Sequence, residues 1–295
     1  MKLYISRVTF FLAIHLFLLF GFENFDKTHV PFIICYIIFK ILSITMGMHR
    51  LWTHETYKTN KFMKILFAIF CNSTFEGSIK DWTSNHRMHH RFEETNPEFD
   101  PYSIKKGFLW AHILAHCYTR NDKYNKEQVK IYNEFKKSRT EFDNKLIDFE
   151  HKYYVAFALF TGLLCPILIC KLLYSNSTVL SCFYSVVASI VTTYHATWCI
   201  NSFAHLIGDK PFVTEHTSGD NHLLGLITFG DGYHNYHHAF PKDYKSAYSL
   251  KTFNLSAWCL AFLHKIGIVK DLKVAKNINI TKQPDLEKVE YTTIH

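Results

Sequence analysis

Little in this chain supports a disulfide framework or a zinc ribbon. Its eight cysteines (Cys35, Cys71, Cys117, Cys165, Cys170, Cys182, Cys199 and Cys259) form no C-x-x-C pair. Several lie inside apolar runs, so free, buried thiols are expected. No basic run is interleaved with aromatics, so the formal net charge of +8 is not the signature of a nucleic-acid surface. The first apolar run lacks a small-residue cleavage site and is expected to stay as an anchor. There is no internal repeat, no low-complexity segment and no retrieval signal at the C-terminus.

What the chain has instead is apolar bulk arranged in blocks. Aromatics make up 17% of its 295 residues, with 27 Phe and 17 Tyr. The mean hydropathy is near zero only because apolar runs alternate with charged ones. Four runs approach the ~20 residues that a helix needs to cross a bilayer: Leu3 to Phe22, Val30 to Met48, Tyr153 to Leu173 and Val179 to Ile200. Lys40 and Lys171 inside or beside them are read as snorkelling or packing against neighbouring helices. Residues 23–29 and 174–178 are short connections, so the four runs pair into two hairpins. Residues 49–152 carry 18 of the 33 Lys and Arg, and residues 201–295 another 10. The positive-inside rule therefore puts both large regions, and both termini, in the cytosol. The expected fold is an all-α integral membrane protein with four transmembrane helices and a helical cytosolic cap. Its parts are a first hairpin (1–48), a cytosolic region (49–152) with an interfacial helix over Phe62 to Phe75, and a second hairpin (153–200). A further cytosolic region (201–270) and a polar, flexible tail (271–295) complete it.

Histidine is the outlying residue type, with 19 copies that cluster. His49 and His54 frame H-R-L-W-T-H. His86, His89 and His90 lie in H-R-M-H-H, and His234, His237 and His238 in H-N-Y-H-H. His205 stands alone just past the fourth run. Positions i, i+3 and i+4 share one face of an α-helix, so each H-x-x-H-H is expected to aim three imidazoles at a common point. Nine nitrogen donors exceed what one metal can use and suit two. Imidazole suits iron, zinc, copper and nickel, and no cysteine stands beside these histidines to favour structural zinc. A nitrogen-rich site with more than four donors per metal favours iron and oxygen chemistry. All nine fall in the regions assigned to the cytosol. The other ten histidines, among them His29, His112, His116 and His195, are read as structural.

These motifs resemble those of the membrane acyl-CoA desaturases, the stearoyl-CoA Δ9-desaturase group in particular. The resemblance covers roughly residues 30–250 and rests on H-R-L-W-T-H (49–54), W-x3-H-R-M-H-H (82–90), N-S-F-A-H (201–205) and G-D-G-Y-H-N-Y-H-H-A-F-P-K-D-Y (230–244). It implies that the nine histidines bind two Fe2+ ions and that Asn201 joins through a water. It implies that Trp82, Thr197 and Trp198 line a kinked acyl tunnel. The expected reaction removes two hydrogens from adjacent methylenes of a saturated acyl-CoA, leaving a cis double bond at Δ9, with O2 and two electrons. Cytochrome b5 is the implied electron donor, as a separate protein, since no H-P-G-G haem motif occurs; the endoplasmic reticulum membrane is the implied location. Glu93, Glu94 and Asp231 are placed to act behind the ligands. The chain departs from the family where Arg-Asp is usual and Ser84-Asn85 stand instead, so Lys105 or Arg120 are candidates to contact CoA. Ile33 and Ile37 are bulky near the tunnel's closed end, which implies a shorter preferred chain. The rival readings are another membrane di-iron lipid oxidase, told apart by the regiochemistry of its product, and a non-enzymatic metal carrier, which would need histidines within the spans.

Overall fold

The computed structural model describes residues 2–213, 215–276, 278 and 289–295. Among these the architecture is helical. In chain order the helices are α1 (Ile5–Phe20), α2 (Val30–Leu42), α3 (Lys61–Phe70), α4 (Ile79–Phe92), α5 (Ala115–Cys117), α6 (Asp122–Lys136) and α7 (Glu141–Lys152). They continue with α8 (Tyr154–Leu159), α9 (Cys165–Leu173), α10 (Val179–Ser202), α11 (His222–Ile227), α12 (His234–Ala239) and α13 (Leu255–Lys265).

Three helical stretches are long and apolar enough to cross a membrane: Lys27–Thr53, Tyr154–Leu173 and Val179–His205. The second, third and fourth expected spans therefore have counterparts, whereas the first corresponds only to a shorter apolar helix. Helix α1 has 16 residues and closes at Gly21, whose amide bonds to the Phe17 carbonyl. At 1.5 Å per residue that is about 24 Å, short of the ~30 Å hydrocarbon core. α10 packs against α1, α2 and α9, and the seam is filled by Phe11, Phe32, Val186, Val187, Ile190, Tyr194 and Trp198. Two of these helices contain π-helical turns. Ser43–Thr53 extends α2 in the wider winding, and Phe160–Leu164 joins α8 to α9. Pro166 lies directly after that π-helical turn, inside the continuous Tyr154–Leu173 helix, where a wider turn relieves the clash and lost amide bond of a proline.

The polar region 49–152 folds onto the end of this bundle. Asn60 caps α3 by accepting from the Met63 amide at 2.9 Å. This helix buries Ala68 and leaves Phe62 and Ile65 outward, the two-faced pattern expected of that piece. Ser78 caps α4, and its hydroxyl also reaches Asp81 Oδ2 at 2.9 Å. Helix α4 is thereby started four residues ahead of Trp82 and packed against α6, α7 and the π-helical stretch.

The end of the chain differs from its composition-based expectation. Two small antiparallel pairs are present, β1 (Lys58–Thr59) with β2 (Val269–Lys270), and β3 (Leu272–Ala275) with β4 (Tyr291–Ile294). Strand β3 buries Leu272 and Ala275 and is tied to the cap by Lys273 N–H donating to the Thr56 carbonyl at 2.8 Å. Ala275 N–H donates to Asp243 Oδ2 at 2.9 Å. Polar composition hid this segment because only Leu272 and Ala275 of β3 are buried, too few to make an apolar run. Much of the remaining tail, residues 279–288, lies outside the described residues.

Candidate metal centre

His49 and His54 come together because of the winding they sit on. In a π-helix the backbone repeats at i→i+5, and the His54 amide bonds to the His49 carbonyl at 3.1 Å. Residues five apart then share a face, which an α-helix would not give them. Their rings lie 4.9 Å apart, edge to face.

The other ligand candidates arrive from α4, α12 and the turn ending α10. His49, His54, His86 and His237 bring one nitrogen each within 4.8 Å of the others. His90 joins them, its Nε2 2.9 Å from His237 Nε2 and 3.2 Å from His86 Nε2. His89, His205, His234 and His238 form a second group within the same limit. The nine histidines thus converge as expected, but each H-x-x-H-H triplet divides. His86 and His90 go one way and His89 the other; His237 goes to the first group and His234 and His238 to the second. The reason is helical geometry: i+3 and i+4 fall on opposite sides of the line through i, about 100° apart.

Carboxylates fix the ring orientations from behind. Asp231 Oδ2 accepts from His49 Nδ1 at 3.0 Å, and its other oxygen pairs with Arg50 at 2.7 Å. Asp100 accepts from His89 Nδ1 at 2.9 Å. Glu93 holds His205 Nδ1 at 3.2 Å and also His238 Nδ1. Each of these contacts spends an Nδ1–H outward and turns the Nε2 lone pair inward. Burial holds His54, His86, His90, His234 and His237 well below the ordinary imidazole range. They are therefore neutral, the form that ligates metal. Neutral Nε2 atoms about 3 Å apart, such as His205 and His234 at 3.0 Å, repel unless a cation sits among them. The donor set fits metal ions that accept imidazole.

The G-D-G-Y segment explains how Asp231 reaches this position. Gly230 has φ +120° and no room for a Cβ against Asn254. A Cβ on Gly232 would collide with the Gly225 amide nitrogen. Both glycines are required by close approach.

A narrow cavity of about 40 Å³ borders the two groups. His49, His86, His234, Asn201, Trp82 and Thr197 line it, with Ile44 on its apolar wall.

The fatty acid desaturase family model matches residues 27–265. The chain belongs to the fatty acid desaturase family. It is 34% identical over 264 residues to a probable acyl-CoA desaturase of Schizosaccharomyces pombe, covering 87% of this chain and 53% of that protein. It is 34% identical over 236 residues to acyl-CoA desaturase 1 of Saccharomyces cerevisiae, covering 79% and 43%. To the Delta(9)-fatty-acid desaturase fat-5 of Caenorhabditis elegans it is 29% identical over 245 residues, covering 82% and 71%. The chain thus spans about half the length of the two yeast relatives.

In this desaturase chain the tunnel candidates do not all face the same space. Trp82 and Thr197 line the cavity beside the histidines, whereas Trp198 is buried and lines a neighbouring one. Glu76 and His116 border both cavities. Ser84 and Asn85 are engaged internally. The Ser84 hydroxyl bonds to the Lys80 carbonyl, and Asn85 Oδ1 accepts from Tyr124 and Gln128, both at 2.7 Å. Lys105 pairs with Glu94 at 3.0 Å, and Arg120 donates to the Pro101 and Ala115 carbonyls. Three residues escaped the sequence reading. Asp100 lies in an ordinary-looking N-P-E-F-D loop with no signal of its own. His116 was read as structural. Glu76, six residues before Trp82, is a carboxyl group on a cavity wall and could have been found as a charge beside a tunnel motif.

Proposed function

We propose that the chain is a fatty acyl-CoA desaturase that introduces a cis double bond, at Δ9, into a saturated long-chain acyl-CoA. The observation that carries this reading is the pair of imidazole groups backed by Asp231, Asp100 and Glu93 and opening on a cavity walled by Trp82 and Thr197. The two groups would each hold one iron. His49, His54, His86, His90 and His237 are the ligands of the first; His89, His205, His234 and His238, with Asn201 through a water, are those of the second. When bound, reduced iron with O2 supplies an oxidant strong enough for an unactivated C–H bond. Overall, acyl-CoA, O2, two electrons and two protons give the unsaturated acyl-CoA and two waters.

The protein's own part is positioning. An alkyl chain offers only shape, so Trp82 and Thr197 hold its bend against the imidazoles. The three carboxylates temper the charge that neutral imidazoles leave on the metals. Electrons come from cytochrome b5, and a basic cytosolic face suits an acidic donor. The membrane is that of the endoplasmic reticulum, with α1 as a fourth crossing and both termini cytosolic. The concentration of 28 of 33 Lys and Arg in the two large regions supports this orientation.

Expression in a yeast lacking its own Δ9-desaturase, with fatty-acid analysis, tests the reading. A new Δ9 monounsaturated acid is expected, and His237→Ala should abolish it while membrane insertion stays the same. No new monounsaturated acid, despite good expression and cytochrome b5, would refute it; a hydroxylated product or another bond position would point to a different di-iron oxidase.

A further inference from the structure

About twenty residues back along the same helix from His49, roughly 30 Å away, a second cluster of metal-ligating side chains is buried. His29 closes the turn that leads into α2, Cys170 lies on α9 and Cys182 on the first turn of α10. All three are 0% exposed. One ligating atom from each lies within 4.8 Å of the other two. Sequence spacing conceals the group, since His29 is 141 residues from Cys170.

The hydrogen bonds around His29 settle which nitrogen faces the sulfurs. The Ser177 hydroxyl donates to Asp26 Oδ2 at 3.0 Å, so its oxygen accepts from His29 Nε2–H at 2.8 Å. Asp26 stays ionised; the Thr28 hydroxyl and amide, then Ser177, lower its carboxyl to about 2. His29 Nδ1 is left with its lone pair toward Cys170 Sγ at 3.7 Å and Ser185 Oγ at 2.8 Å. The Ser185 hydroxyl has one hydrogen for two acceptors, this lone pair and the Ser181 carbonyl at 3.0 Å. A histidine whose far nitrogen donates through a hydroxyl to a carboxylate is oriented as metal-bound histidines are.

We propose that His29, Cys170 and Cys182 bind one zinc ion, with Ser185 Oγ or a water as fourth ligand. Two thiolates and one imidazole are a zinc-type donor set. The charges of two thiolates and a dication cancel, which a fully buried site requires. Binding releases the two thiol protons and changes no oxidation state. The ion would tie the connection before α2 to α9 and α10, stapling one end of the bundle far from the histidine centre.

Cobalt substitution tests this. The full chain, purified in detergent under reducing conditions and stripped with chelator, is titrated with Co2+. The expected result is a thiolate-to-cobalt charge-transfer band whose limiting intensity corresponds to one thiolate-bound ion per chain, which a histidine-only centre cannot produce. Cys170→Ser and Cys182→Ser should each lose the band while cobalt bound by histidine alone remains, and His29→Gln should weaken it at least tenfold. Helix content by circular dichroism identifies any variant that fails to fold. Absence of the band in the unsubstituted chain overturns the proposal, as does a band that survives both serine variants. A Cys170–Cys182 disulfide found by mass spectrometry in chain isolated without reductant also overturns it.

Discussion

Glu76 is a carboxylic acid where a hydrocarbon chain is proposed to pass, and replacing it by glutamine has a calculable effect. Trp82 Nε1 donates to Glu76 Oε2 at 3.0 Å, while Oε1 is buried with no partner. Burial pushes this carboxyl from 4.5 up to about 7. The neutral acid is thus favoured in the fold and the carboxylate in the unfolded chain. A raised carboxyl pKa costs nothing below pH 4.5, where both states are protonated. The cost grows as pH rises and is complete above pH 7. That displacement corresponds to about 3 kcal/mol. Glu76→Gln keeps the shape and an acceptor for Trp82 but cannot ionise. At pH 5 the two proteins should melt close together; at pH 8 the variant should melt roughly 5 °C higher. The measurement is the melting midpoint in detergent at one scan rate, with the difference between proteins cancelling all other titrations. A difference that stays constant from pH 5 to pH 8 would show that Glu76 does not titrate in this window and would refute the reasoning.

Asp231→Asn leaves Arg50 buried without its charge partner and loosens His49. Metal affinity should fall about 10- to 100-fold and stability by about 3–5 kcal/mol, read by metal titration and melting. Acid should strip the metals, because protons compete for Nε2. In the metal-free chain burial pulls His238 down to about 4, so stability is retained above pH 6.5 and lost as pH falls toward 4, as acid unfolding curves would show. Palmitoyl-CoA should turn over faster than stearoyl-CoA in microsomes. Ile33 packs into the bundle seam, and Lys40 Nζ on α2 donates to Ser189 Oγ on α10 at 2.8 Å; an acyl tail running from Ile44 back along α2 would meet both. A clear stearoyl preference would reject that reading.

The sequence by itself determined the kind of chemistry and its setting. Eight of the nineteen histidines stood out by spacing and His205 by its place just past the fourth apolar run, and apolar runs announced the helices, because these signals are local: 3.6-residue periodicity and run length need no distant partner. Glu93 and Asp231 were also legible, since each lies within a few residues of a histidine motif. Only the tertiary structure decided how the triplets divide, because that depends on which side of α4 faces α12. It alone joined Asp100 to His89, put Glu76 on the cavity wall and brought His29, 141 residues away, to Cys170. Ser84 and Asn85 likewise gained a meaning, as packing contacts to their own helix and to α6. The H-x4-H pair required both levels. Its spacing was visible in the chain, but the π-helical winding that brings residues five apart toward one face comes from the i→i+5 hydrogen bonds of Ser43–Thr53.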